Sequence, residues 1–177
     1  MLNWLKNLFA SNKPTNNASV STEDADGYVA FHEGNIKFLS GDDYNALPFY
    51  DKAITHGITE AYSQRAYCLQ SLGYFLDALE DFEHAIMAEP DDCNLRFSQS
   101  MAFLTVGNYS AAVSSIGKAV ELSKVKSSLN ITHDISARKQ GYNSITDMML
   151  TEQRGIEVIA NMRFHKPVSP EKLVRRP

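Results

Sequence analysis

Small residues recur on a fixed ruler through the middle of this chain, and that recurrence limits what it can fold into. Within AYCLQSLGYFLDALEDFEHAI, residues 66–86, the positions Ala66, Gly73, Ala78 and Ala85 interrupt a run of bulky apolar side chains. With Tyr62, Leu69 and Phe82 they have counterparts one constant interval later: Arg96, Ser100, Phe103, Gly107, Ala112, Ile116 and Ala119. An earlier copy carries Gly34, Gly41, Ala46, Tyr50 and Ala53, matching Ala66, Gly73, Ala78, Phe82 and Ala85. It is two residues shorter, and the deficit falls at THGITE. A lone amphipathic helix needs no such schedule. A period of about 34 residues without strand alternation belongs to stacked helical hairpins.

The physical content of the ruler is close approach. Each unit reads as two antiparallel helices, A and B, joined at a glycine. Packed helices lie about 8–10 Å apart, and the short end of that range needs small side chains at the contact. Ala66 stands on helix A where helix B crosses it; Ala78 and Ala85 stand on helix B. Gly73 and Gly107 let the chain leave helix A with positive φ and reverse. Leu69, Phe82, Phe103 and Ile116 fill the space between crossings. Pro90 ends one helix B, because proline cannot continue a helix interior. Lys124 stands at the matching place of the next unit, so that stop is weaker. Pro48, inside the first unit's helix B, should kink it or sit near its first turn.

These positions are those of the tetratricopeptide repeat, and residues 25–126 resemble three such repeats, at about 27–58, 59–92 and 93–126. The second matches best, with Tyr62, Ala66, Gly73, Ala78, Phe82, Ala85 and Pro90; the third has Arg96 at the usual aromatic position. The resemblance implies an all-α fold: an α-solenoid of three stacked helix-turn-helix units with a C-terminal capping helix or helices. Beyond Lys126 the schedule stops, but Ile135, Tyr142, Ile145, Met149, Ile156, Ile159 and Met162 still form an apolar stripe. A repeat stack must cover its last hydrophobic face, so residues 127–165 read as a cap, either one helix or a pair broken near Gly141 or Gly155.

Outside these regions the chain changes character. Residues 1–10, MLNWLKNLFA, form a short amphipathic segment, and residues 11–24 a polar, flexible linker. The first segment is too short and polar for a signal peptide, and no apolar run approaches a bilayer span. The two cysteines, Cys68 and Cys93, have no metal or disulfide-framework spacing, and a cytoplasmic, reducing location is expected. Net charge is −4, but unevenly spread. Residues 25–126 hold 14 acids against 7 bases, whereas residues 127–177 hold 8 bases against 5 acids and end in a basic tail, 166–177. Nucleic-acid binding needs a cationic face, and the acidic repeat region argues against it.

No residue set points to catalysis. The histidines His32, His56, His84, His133 and His165 form no zinc motif, and no phosphate-binding glycine loop is present. Asp42-Asp43 and Asp91-Asp92 lie at helix starts, where acids complement the macrodipole. The chain is therefore expected to be non-enzymatic, with no catalytic residue, cofactor or metal.

What a repeat stack offers is a surface. The resemblance implies that helix A of each unit lines a concave groove. That places Tyr28, Phe31 and Asn35 there from the first unit, with Phe38 also suited to packing. The second gives Ser63, Tyr67 and Gln70, and the third Asn94, Phe97, Met101 and Leu104. Some relatives use two Lys, two Asn and one Arg in this groove to clamp the C-terminal carboxylate of chaperone tails. Here only Asn35 falls at a matching place; Phe31, Gln64, Asn94 and Ser98 occupy the others, which disfavours such tails. An apolar groove suits a peptide or amphipathic helix of a protein partner. The chain thus reads as an adaptor or scaffold. Small acidic three-repeat proteins also resemble secretion chaperones that hold apolar segments of exported translocators. Residues 1–10, through Trp4, Leu5, Leu8 and Phe9, could dock on helices for self-association or make weak membrane-surface contact.

Overall fold

Gly73 leaves the first helix of the second hairpin with φ 87°, and two hydrogen bonds lock the reversal. Its N–H donates to Gln70 O at 3.2 Å, and Tyr74 N–H donates to Leu69 O at 2.8 Å. The same pair recurs one unit on, from Gly107 to Leu104 O and Asn108 to Phe103 O, at 3.1 and 2.9 Å. It recurs one unit back, from Gly41 to Phe38 O and Asp42 to Lys37 O, at 3.0 and 2.9 Å. Three corners built alike on three glycines are what the ruler demands.

The computed structural model describes residues 22–125, 131–162 and 174–175. Among them are helices α1 (Thr22–Leu39), α2 (Asp43–Thr55), α3 (Glu60–Leu72), α4 (Phe75–Ala88), α5 (Cys93–Thr105), α6 (Tyr109–Val125), α7 (Ile131–Lys139) and α8 (Ile145–Met162), and no strand. The pairs α1–α2, α3–α4 and α5–α6 are the three hairpins, and each packs on the next. The amphipathic segment 1–10, the linker as far as residue 21 and most of the basic tail lie outside the described residues. Helix α1 begins at Thr22, inside the stretch read as linker.

The crossing points show why the small residues vary. A Cβ at Gly34 would lie 2.7 Å from the Tyr50 ring, so only glycine fits there. The next units carry Ala66 with Phe82 and Ser100 with Ile116 at the same two positions, all fully buried. The bulkier aromatic is matched by the smaller partner, as close packing requires. Tyr50 uses its length to donate to Asn35 Oδ1 at 2.9 Å, and burial pushes its hydroxyl pKa up.

Helix α2 runs unbroken through Pro48. Pro48 and Tyr44, one turn earlier, are both exposed, so the carbonyl that loses its donor lies on the solvent side. Helix α4 stops before Pro90, whereas α6 runs 17 residues to Val125, past Lys124. Of the acid pairs, Asp92 caps α5 by accepting from Asn94 N–H at 2.7 Å and Leu95 N–H at 3.4 Å. Asp43 in the first turn of α2 instead accepts from Ser71 Oγ at 2.6 Å, tying repeat one to α3.

The C-terminal region is two helices, broken at Gly141. Gly155 lies inside α8. Gly141 stands one repeat interval after Gly107, has φ 93°, and carries the same bond pair to Arg138 O and Ala137 O. The ruler therefore extends one corner further than the small residues alone suggest. The packing is different, however. It is α8 that lies along α6, while α7 touches α8 lightly. Asp134 Oδ1 accepts from Ile145 N–H at 2.7 Å and so caps α8 from the preceding helix. Two hydrophobic clusters result. One joins repeats one and two with Leu95 and Ala102; the other joins Cys93, Phe97 and α6 to Ile145, Met148, Met149 and Ile156 of the cap.

Candidate interaction groove

The inward positions of the A helices differ in accessibility. Tyr28 is exposed on α1, with Phe31 and Asn35 half-buried beside it. Phe31 packs against the Tyr50 ring, centroids 6.1 Å apart. Asn35, the one position shared with a carboxylate clamp, is held by the Tyr50 hydroxyl. On α3, Ser63 and Gln70 are half-buried, while Tyr67 is 2% exposed and meets Phe82 edge-on at 5.5 Å. Burial pushes the Tyr67 hydroxyl pKa up. On α5, Asn94 and Phe97 are buried, and Met101 and Leu104 are half-buried. The apolar positions thus split between accessible ones (Tyr28, Phe31, Met101, Leu104) and core ones (Tyr67, Phe97).

Polar atoms add a second feature. Gln64 Oε1, Gln70 Oε1 and Asn94 Oδ1 are buried acceptors that receive no hydrogen bond. Gln70 uses its other end, donating from Nε2 to Ser98 O at 3.2 Å between repeats two and three. An unsatisfied buried acceptor costs about 1–3 kcal/mol, so three on two neighbouring A helices are an appreciable cost. A cleft of about 180 Å³, lined by Thr59, Glu60, Ser63, Ala85, Ala88 and Glu89, opens between the start of α3 and the end of α4.

Sequence reasoning missed the cluster around Arg65. The Arg65 guanidinium donates from Nε and Nη2 to the two oxygens of Asp81, both at 2.7 Å, and from Nη1 to Asp51 Oδ1 at 2.7 Å. It thereby joins α2, α3 and α4. Burial works against the Arg65 charge, but the hydrogen bonds and charges of Asp81 and Asp51 outweigh it and push the pKa up. Asp81 is nearly fully buried, and burial raises its pKa although Arg65 pulls it down. The available signal was an acid on each B helix flanking Arg65, Asp51 before it and Asp81 after it. Arg65 also lies 5.7 Å from the Tyr62 ring centre, and Tyr62 stacks on His84 at 4.6 Å.

The family model of the tetratricopeptide repeat matches residues 59–92, the second hairpin. Residues 59–92 are thus a tetratricopeptide repeat in sequence as well as in hairpin form. No curated protein matches the chain in sequence. Several solved structures share the repeat protein's fold. PcrH, solved in complex with the chaperone binding region of PopD, superposes with a TM-score of 0.62 at 14% identity, covering 81% of this chain and 98% of that one. The TPR2B domain of yeast Sti1, in its pHsp70 complex, gives 0.57 at 22% identity over 74% of this chain and 98% of that one. A MamA RS-1 double mutant gives 0.56 at 15% identity over 82% and 80%. At these identities the likeness concerns the fold. Among the described residues of the repeat protein, no three His, Cys, Asp or Glu side chains could hold a metal ion, and no helix is long and apolar enough to cross a membrane.

Proposed function

We propose that this chain is a non-enzymatic protein-interaction module that holds a peptide or amphipathic helix of a protein partner on its A helices. The observation that carries the reading is the set of accessible apolar side chains there, with half-buried polar side chains beside them. Tyr28, Phe31, Met101 and Leu104 offer apolar contact, and the half-buried Ser63 and Gln70 add polar side chains beside them. Apolar anchors and a few placed polar groups are what peptide grooves require. The carboxylate-clamp set is absent apart from Asn35, which is already engaged by Tyr50, so an apolar segment suits the surface better than a free chain end.

A second reading is a dedicated chaperone for one partner's apolar segment. The likeness to PcrH favours it, because the match covers nearly that whole chain. The test uses Ser63→Arg with Met101→Asp, since both sites are half-buried and Met101 lies at the edge of the second hydrophobic cluster. Capture of partners from the protein's own cells is measured against wild type, with circular dichroism confirming an unchanged fold. Loss of bound protein in a folded variant supports the groove. Retention of every partner by the folded variant would place binding elsewhere. One tight partner indicates the chaperone; several loose ones indicate the adaptor.

A further inference from the structure

Near the end of the chain, Arg175 reaches back to α2 and α4. Its guanidinium Nη1 donates to Asp51 Oδ2 at 3.0 Å and Oδ1 at 3.3 Å. Its backbone N–H donates to Asp77 Oδ2. Asp51 belongs to repeat one and Asp77 to repeat two, so a single arginine bridges the B helices of two repeats.

Part of the seat is built within the repeats themselves. Asp81 grips Arg65 with both oxygens, and Arg65 in turn holds Asp51 Oδ1. Asp51 is thereby fixed, with Oδ2 left to receive a second guanidinium. Among the described residues, Arg65 pairs with Asp51 and Asp81, and Arg175 adds a second guanidinium on Asp51 beside Asp77. The seat tests two things in one residue: a guanidinium at Asp51 and a free main-chain N–H at Asp77. Proline fails the second test, and lysine presents one point charge in place of the planar fork. The charge split along the sequence, acidic repeats followed by a basic end, fits the same arrangement.

We propose that Arg175 is a latch: the chain's own C-terminal end clasps the furrow between α2 and α4, in cis, through an arginine-reading seat made by Asp51 and Asp77 and braced by Arg65 and Asp81. The latch ties Arg175 directly to repeats one and two.

The test is amide hydrogen exchange at Arg175 in the full-length, isotope-labelled protein. The N–H bonded to Asp77 should exchange about tenfold or more slowly than its intrinsic rate. Arg175→Ala and Asp77→Ala should each abolish that protection, and Asp51→Asn should reduce it. Arg176→Ala, with the same loss of charge, should leave it unchanged. Excess peptide of sequence SPEKLVRRP should speed exchange at Arg175 by competing for the seat, and the peptide with alanine for the first arginine should not. Because Arg175→Ala alters only the chain end, its result does not depend on how the aspartate variants fold. An unprotected Arg175 in the wild type, or protection indifferent to Arg175→Ala and Asp77→Ala, overturns the latch. Protection that disappears on dilution assigns the seat to a second copy's tail and overturns the assignment in cis.

Discussion

Arg65 and Asp81 in repeat two stand where Gln99 and Ser115 stand in repeat three, one repeat interval on. The first pair is a bidentate ion pair; the second is one neutral hydrogen bond, Ser115 Oγ to Gln99 Oε1 at 3.0 Å. Likewise the Tyr62–His84 stack of repeat two is replaced by Arg96 and Lys118, two cations. The backbone corners are the same in both. Glycine and alanine thus set the hairpin geometry, and the residues between them set how tightly it is held and what it packs against. Repeat two is held internally by charge and aromatic contact, and Arg65 also ties it to Asp51 of repeat one. Repeat three shares its apolar residues between two clusters and is completed by the cap.

The comparison predicts a graded series of effects. The largest is Phe82→Ala, which empties a fully buried site and should cost about 3–5 kcal/mol; Ile116→Val at the matching site should cost about 0.5–1.5 kcal/mol. Urea midpoints measure both. A loss at Phe82 no larger than that at Ile116 would mean that Phe82 does not fill the buried crossing.

Next is Arg65→Ala, expected to cost about 3 kcal/mol because it strands the buried Asp81 carboxylate; partial exposure of Arg65 keeps it at the low end of such losses. This deficit has a pH signature. The folded-state pKa of Asp81 is raised by burial, and losing Arg65 raises it further. A raised acid destabilises the folded state once ionised, so the penalty is absent below the unfolded pKa and grows as pH rises through the folded one. The gap between wild type and variant should therefore narrow as the pH falls from neutral toward about 4. A gap that widens contradicts the assignment. In repeat three, Gln99→Ala should cost only about 1–2 kcal/mol, with no comparable narrowing.

Smaller still is a transplant. Arg96→Tyr with Lys118→His rebuilds the stack of repeat two in repeat three and should stabilise by about 0.5–1.5 kcal/mol. The smallest is Glu121→Gln, which removes the exposed Lys118–Glu121 pair and should change stability by less than about 0.5 kcal/mol, vanishing at high salt. A larger loss would give the outer face of α6 a role that its exposure does not suggest.

The architecture was legible because its cause is local. Gly41, Gly73 and Gly107 each specify a corner within a few residues, and Ala46, Ala78 and Ala112 each specify a close crossing. Gly141 follows the same spacing, yet the small residues around it are absent, so the cap's hairpin was visible only as an alternative to a single helix. The surface was less legible. Helical phase assigns Tyr67 and Phe97 to the inward face, as it does Ser63 and Met101, but depth depends on side-chain length and on the neighbouring helix. The long aromatic rings of Tyr67 and Phe97 reach the core, whereas Ser63 and Met101 stay accessible. Arg175 lay beyond any local pattern, since its partners Asp77 and Asp51 stand 98 and 124 positions away along the chain.

The central claim is that the A helices hold another chain. Photo-crosslinking residues at Ser63 and Met101, and at Met87 on the exposed side of α4, test it in the cells that make the protein. The account predicts a partner crosslinked from Ser63 and Met101 and none from Met87. A partner crosslinked from Met87 and from neither inward position would contradict it.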